Sequence, residues 1–364
     1  MSLLLLLLHL LCLLFTALLA AVKLYFSLTK GVFRSSDYDL TGKVILLTGG
    51  NTGIGEAYVR EVARRGATVI MAVRNVARGE AVAAKVRAET GNDRLHVLHC
   101  DLGELASVRR CAERIRNPKK SGENFPAPPR IDVFAVFAAA VGENSAEGAK
   151  ARLTPAPDRL EVQFQVNYLG HFLLLALLFD LLSPQARVVV TSSAAHLLGK
   201  LDLERMATEK SRHVYFTYAD SKLALVAWAR ELAERLENSP SSKSSQITVN
   251  CFSPGTVLTN GITHNYFWWI RLLLRALAFL YGSRTAEDGA QTMLYLSMAE
   301  EKDLVAGSSG GGYFADCRPA AYNRLADDRK LRAGLWELSL SLLTEKERGL
   351  LSIDEVDPLL RGRF

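Results

Sequence analysis

The 364-residue chain has only five cysteines, and Cys12, Cys100, Cys111, Cys251 and Cys317 are scattered along it. No Cys-x-x-Cys pair and no Cys/His cluster at zinc spacing occurs. Neither a disulfide framework nor a metal site is therefore expected. An Asn-x-Ser/Thr acceptor is missing too. Both absences lean towards a reducing, cytosol-facing setting. With 11 prolines and 26 glycines, collagen-like and low-complexity classes are excluded. Disorder is excluded by 49% apolar residues against 23% charged ones. The net charge of +6 is dispersed and mixed with acids, without a long basic block, so no nucleic-acid partner is expected. At about 150 residues per domain the length suggests two domains. A doubly wound α/β domain can also take up most of it alone.

Charge is missing altogether from one stretch. Leu3 to Val22 holds no Asp, Glu, Lys or Arg, and His9 is its only basic side chain. About 20 helical residues at about 1.5 Å each match a hydrocarbon core of about 30 Å. Lys23, Lys30 and Arg34 follow, which by the positive-inside tendency holds the C-terminal side in the cytosol. Ala17, Ala20 and Ala21 would suit a cleaved signal peptide. The length of the run and the lack of a basic n-region favour an uncleaved anchor. Residues 1–36 are thus expected to be a transmembrane helix and its flank.

The remainder alternates strand and helix. Apolar runs predict strands over 43–48, 67–73, 95–100, 131–137, 186–191 and 246–252. Helices are predicted over 53–65, 77–89, 104–116, 158–182 and 218–237. Continuous apolar strands imply a sheet covered on both faces. Strict alternation implies an α/β fold with one Rossmann-type, doubly wound parallel sheet.

The first strand runs into Thr48-Gly-Gly-Asn-Thr-Gly-Ile-Gly55, where a helix opens. Glycines let a backbone turn tightly against phosphate oxygens, and a helix N-terminus receives the anion. Gly49, Asn51, Thr52, Gly53, Ile54 and Gly55 are the candidate pyrophosphate cradle. The second strand ends at Arg74, where a carboxylate for the 2′-hydroxyl of NAD is lacking. A guanidinium there can pair with the 2′-phosphate of NADP. Asp101 is placed to touch the adenine, or to cap the next helix.

Tyr218 and Lys222 stand at i,i+4 on one helix face. A neighbouring ammonium is expected to lower the phenol's pKa and make it a usable general acid/base. The fifth strand ends in Ser192 and Ser193, either of which could polarise a carbonyl or cap a turn.

Taken with their positions in the sheet, these motifs resemble the short-chain dehydrogenase/reductases, and among them the membrane-anchored retinol dehydrogenase group. The blocks that carry the resemblance are the glycine-rich turn, Gln165-Val-Asn-Tyr-Leu-Gly-His-Phe172, Val188-Val-Val-Thr-Ser-Ser-Ala-Ala-His196, Tyr218-Ala-Asp-Ser-Lys-Leu-Ala224 and Ser253-Pro-Gly-Thr-Val-Leu-Thr259. Gly312-Tyr-Phe-Ala-Asp-Cys317 and Leu335-Trp-Glu-Leu-Ser339 resemble that subgroup in particular. The resemblance implies a sheet of about seven strands with helices on both faces, spanning a domain over 37–342, a substrate lid over about 260–284 and a tail over 343–364. It implies Tyr218 as general acid/base and Lys222 as its partner on the nicotinamide ribose. Ser193 is the implied carbonyl-orienting serine, and Asn167 the asparagine that holds a relay water. Pro254, Gly255 and Thr259 would lie along the cofactor, with Thr259 at the carboxamide, and Arg74 would set a preference for NADP(H).

One departure stands out. Where the family's fourth strand ends Asn-Asn-Ala-Gly, this chain has Val136-Phe-Ala-Ala139. Phe137 lacks the asparagine's polar groups, and Ala139 adds a β-carbon where backbone should approach the cofactor; a one-residue shift would bring Gly142 nearer. Residues 266–280 are aromatic and aliphatic, with Arg271 and Arg275 on one stripe, a composition that suits a membrane interface.

The expected function is NADP(H)-linked interconversion of a lipophilic alcohol and its carbonyl, such as a retinoid, sterol or polyprenoid. The expected location is a membrane, that of the endoplasmic reticulum, crossed once with the catalytic domain in the cytosol. A homodimer is left open. The rival reading is a membrane-tethered pseudoenzyme serving as an interaction or lipid-binding module.

Overall fold

The computed structural model describes residues 30–34, 38–119, 130–140, 157–208, 214–239, 246–255, 284–299 and 310–344, the segment 13–21, and a few isolated positions. Its centre is an eight-stranded sheet. The strands are β1 (Val44–Thr48), β2 (Thr68–Val73), β3 (Leu95–His99), β4 (Ile131–Val136), β5 (Leu182–Thr191), β6 (Thr248–Ser253), β7 (Gly312–Ala315) and β8 (Arg318–Pro319). Their order is β3-β2-β1-β4-β5-β6-β7-β8. Every pairing from β3 to β7 is parallel. The short β8 adds an antiparallel edge through Phe314↔Pro319. The order reverses between β1 and β4, which opens the crevice where such sheets bind ligands.

The helices are α1 (Gly53–Arg64), α2 (Val76–Thr90), α3 (Leu105–Arg116), α4 (Val162–Leu181), α5 (Val214–Glu237), α6 (Ala286–Met298) and α7 (Arg329–Thr344). One core lies between the sheet and α3, α4, α5 and α7. The other lies between the sheet and α1, α2 and α6. β1 and β2 are buried along their whole length because both faces are covered, which is why they read as unbroken apolar runs.

Two helices depart from their expected bounds. The helix expected over 158–182 starts only at Val162 and is not uniform: Gln165–Leu169 is a π-helical turn and Phe179–Leu181 a 3₁₀ turn. Asp158 is buried ahead of it, accepting hydrogen bonds from the Leu105 amide at 2.9 Å and from Gln165 Nε2 at 2.9 Å. The helix expected from Tyr218 begins one turn earlier, at Val214. α4 is long and apolar enough to cross a membrane, with mean hydropathy 1.4 over an 18-residue stretch, yet 83% of that stretch is buried, which makes it a core helix. The segment 13–21 is helical, and Leu13, Leu14, Phe15 and Leu18 on it are exposed.

The chain before the sheet is tied to it. Lys30 pairs with Asp288 at 2.6 Å, the Gly31 amide donates to Asp316 and the Phe33 amide donates to Gln291. Phe33 stacks between Tyr38 and Tyr295.

Candidate active site

The glycine-rich turn fills the space between β1 and α1 so tightly that side chains are excluded. Gly49 has φ +76°, and a β-carbon on it would lie 2.8 Å from the backbone of Ala138. On Gly55 it would lie 2.3 Å from the Gly49 carbonyl oxygen. Thr52 is the N-cap of α1, but its side chain makes no capping bond, so no side chain caps the first-turn amides. Together with the helix dipole they form an anion-binding end. Gly53 opens α1, Asn51 sits half-buried before it, and buried Ile54 packs against Gly289 of α6.

Arg74 is exposed at the end of β2. The next residue, Asn75, caps α2 by accepting from the Arg78 amide at 2.9 Å. The Arg78 guanidinium reaches back to the Thr52 hydroxyl at 3.1 Å. Sequence reasoning stopped at Arg74; the signal for Arg78 was its place four residues on, in the first turn of α2. Asp101 does not cap a helix, since Glu104 is the N-cap of α3. Its carboxylate accepts from the Gly103 amide at 2.9 Å and shapes the turn after β3.

Beyond β4, the amides of Phe137 and Ala138 both donate to the Thr48 hydroxyl, at 3.0 and 3.1 Å. The Phe137 ring lies beside Gly55, and Ala139 is exposed. Gly142 lies outside the described residues. Asn167 is buried in the π-helical turn. Its side chain accepts from the Ala140 amide at 2.6 Å and donates to the Ala140 carbonyl at 3.0 Å and to Ser221 Oγ at 2.9 Å. Ser221 in turn donates to the Tyr218 carbonyl at 2.8 Å.

The two serines after β5 separate cleanly. Ser192 is buried and donates to the Lys222 carbonyl at 2.8 Å, which pins β5 to α5. Ser193 accepts from the Ala195 amide and lies beside the Tyr218 phenol. Burial pushes the Tyr218 pKa up, and the Ser193 contact pulls the other way. Lys222 is buried, and burial pulls its pKa down to about 8. Its ammonium donates to the Thr191 carbonyl at 3.0 Å and lies 5.7 Å from the centroid of the Tyr218 ring. The expected lowering of the phenol's pKa by Lys222 is therefore not what this geometry produces. The cation lies over the ring and donates to a backbone carbonyl, and burial is the largest influence on the phenol.

After β6, Pro254 is half-buried and Gly255 adopts φ +75° beneath the Arg284 guanidinium. Arg284 is ion-paired with Asp316 after β7. Thr259 and the expected lid, up to residue 283, lie outside the described residues.

The sheet order thus brings the glycine-rich turn, Asn167, Ser193, Tyr218 and Lys222 to the carboxyl edge of one parallel sheet. The short chain dehydrogenase family profile matches residues 43–266, more than half of the chain. The chain belongs to the short-chain dehydrogenase family. Retinol dehydrogenase 12 of Mus musculus is 35% identical over 311 residues, covering 85% of this chain and 89% of the relative. Retinol dehydrogenase 14 of Mus musculus is 36% identical over 313 residues, covering 82% and 85%. Within the family this is a retinol dehydrogenase-like member. Among solved structures, an uncharacterised protein from Mycobacterium Paratuberculosis matches with TM-score 0.63 and 28% identity, over 85% of this chain and 97% of that one. L-Sorbose reductase from Gluconobacter frateurii, complexed with NADPH and L-sorbose, matches with TM-score 0.56 and 18% identity, over 76% and 96%. That second likeness speaks for the fold alone. Membership makes this short-chain dehydrogenase an oxidoreductase of alcohols and carbonyls that works with a nicotinamide cofactor. Its residues fit such a group: the crowded glycines leave room only for backbone, and the α1 amides lack a side-chain cap.

Proposed function

We propose that the protein is an NADP(H)-dependent reductase/dehydrogenase of a lipophilic alcohol–carbonyl pair, retinoid-like, working at the cytosolic face of the endoplasmic reticulum membrane. The observation that carries this reading is the juxtaposition of Ser193 and Tyr218, with Lys222 over the phenol ring on the same helix face, beyond the glycine-rich turn. Gly49 and the α1 amides would hold the pyrophosphate, and Arg74 with Arg78 the 2′-phosphate. The absence of a carboxylate at the end of β2 supports NADP(H) over NAD(H). When bound, the nicotinamide supplies or accepts the hydride. Ser193 donates to the substrate oxygen and orients it. Tyr218, kept protonated by burial, gives its phenolic proton to that oxygen in the reducing direction. Lys222 contributes positive charge beneath the phenol as it ionises, and Asn167 fixes α5 against the end of β4.

The exposed apolar helix at 13–21 supports membrane attachment, and the names of the relatives support a retinoid-like substrate. Phe137 and Ala139 favour the pseudoenzyme reading at one point, because they replace residues expected to serve the cofactor. One experiment separates the two. NADPH and NADH are titrated into the purified chain and followed by tryptophan quenching, and turnover is measured with all-trans-retinal for wild type and Tyr218→Phe. The expected result is NADPH binding stronger than NADH binding in both proteins, with turnover lost in Tyr218→Phe. A folded wild-type chain that binds neither cofactor makes the protein a pseudoenzyme. Turnover retained by Tyr218→Phe removes the assigned acid.

A further inference from the structure

His171 lies in none of the roles assigned above, yet it is fully buried at the join of three elements. Its Nε2 is 2.9 Å from Thr48 Oγ1, and its Nδ1 is 3.0 Å from the Asn167 carbonyl oxygen. The proton positions follow by counting. A threonine hydroxyl has two acceptor lone pairs and one hydrogen. Both lone pairs of Thr48 are taken by the Phe137 and Ala138 amides. Its hydrogen must therefore go to His171 Nε2, which then carries none of its own. The single ring proton sits on Nδ1 and is donated to the Asn167 carbonyl. The histidine is neutral and both of its nitrogens are satisfied.

These bonds close a path through the site. Thr48 immediately precedes Gly49 of the glycine-rich turn. Its hydroxyl holds the two residues that follow β4, and its proton ties them to α4. The Asn167 side chain returns to Ala140, three residues beyond Phe137, and passes on through Ser221 to the backbone of Tyr218. The π-helical turn widens the backbone ladder around Asn167, a distortion that proteins keep where function needs it. Phe137 offers no polar side chain to the segment after β4, so that segment is held at its backbone by Thr48 and Asn167, and His171 joins these two.

We propose that His171 is a positioning residue, which couples the cofactor-binding turn at Gly49 to the catalytic face of α5 through Thr48 and Asn167. This rests on the reductase reading given above. The test is a double-mutant cycle in the full-length chain, with NADPH affinity from tryptophan quenching and turnover of all-trans-retinal as separate readouts. His171→Leu keeps the volume and removes both hydrogen bonds; Thr48→Val removes the hydroxyl. Each single variant, verified as folded by circular dichroism, is expected to weaken NADPH binding at least tenfold and to lower kcat at least tenfold. The double variant is expected to lose little more than either single one, because the same path is already broken. Thr48→Ser, which keeps the hydroxyl, is expected to bind NADPH at least fivefold more tightly than Thr48→Val. If His171→Leu does not fold, that serine–valine comparison decides: equal affinities overturn the inference. Additive losses in the cycle also overturn it, as does a folded His171→Leu chain with wild-type affinity and turnover. Both of these leave the reductase reading standing. A wild-type chain that binds no NADPH removes the reading and the inference together.

Discussion

Ser192 and Ser193 are chemically identical neighbours, and one peptide of chain direction gives them different work. Ser192 spends its hydroxyl on the Lys222 carbonyl inside the protein, whereas Ser193 meets the Tyr218 phenol. Ser193→Ala is expected to lower kcat about 10²–10³-fold, the usual cost of losing a donor to a developing oxyanion. Ser192→Ala should instead cost about 1 kcal/mol of stability and leave most of the turnover. Steady-state kinetics beside urea unfolding of both variants checks this. His171 carries a pH signature. Burial pulls its pKa down to about 3, the Asn167 carbonyl opposes the shift, and the nearby Lys222 charge adds to it. The unfolded chain takes up this proton below about pH 6.5 and the folded chain does not until about pH 3. Stability from this group is therefore full above pH 6.5 and is lost as pH falls towards 3. The loss reaches up to about 1.4 kcal/mol per pH unit. Urea midpoints between pH 7 and 4.5 should fall less steeply in His171→Gln than in wild type.

The helices show what local pattern does and does not encode. α1 and α2 lie within a residue of their expected bounds, because glycine and polar boundaries punctuate them. α5 begins a turn before Tyr218, since Val214-Tyr-Phe-Thr217 contains β-branched and aromatic residues of modest helix propensity that only packing turns into helix. Ahead of α4, buried Asp158 serves α3 and Gln165 instead of starting the helix, a tertiary contact that periodicity does not carry. α7 explains the subgroup block Leu335-Trp-Glu-Leu-Ser339 as a clamp. Trp336 meets Phe172 edge-on at 4.9 Å and lies under the Arg235 guanidinium at 4.3 Å. Ser339 bonds the Tyr168 hydroxyl at 2.7 Å. Trp336→Ala should cost about 3–5 kcal/mol in urea unfolding, since it opens a cavity beside α4. The NADPH affinity of the fraction that remains folded should change little.

On the scale of the whole molecule, the residues just after the apolar N-terminal segment belong to the catalytic domain. Lys30, Gly31 and Phe33 dock on α6 and on the end of β7. A soluble form that starts at residue 30 should therefore be more stable than one that starts at residue 37. Loss of the half-buried Phe33 and the Lys30–Asp288 pair accounts for about 1–2 kcal/mol. Thermal melts of the two truncations, both with NADPH titration, test this. Equal stability would show that the docked residues contribute nothing.

The sequence by itself determined the alternation of strands and helices, the glycine-rich turn, and the Tyr218–Lys222 face. Each of these is written in neighbours a few residues apart, in periodicity or in the steric need for glycine. Only the tertiary structure decided that Ser192 bonds the Lys222 carbonyl, that burial rather than Lys222 governs the Tyr218 pKa, and that Arg78 reaches Thr52. It alone brought His171 between Thr48 and Asn167. Those outcomes depend on hydrogen-bond geometry and desolvation across contacts of up to 123 residues in sequence separation. Such groups meet only when the sheet order brings β1, β4, α4 and α5 to one edge.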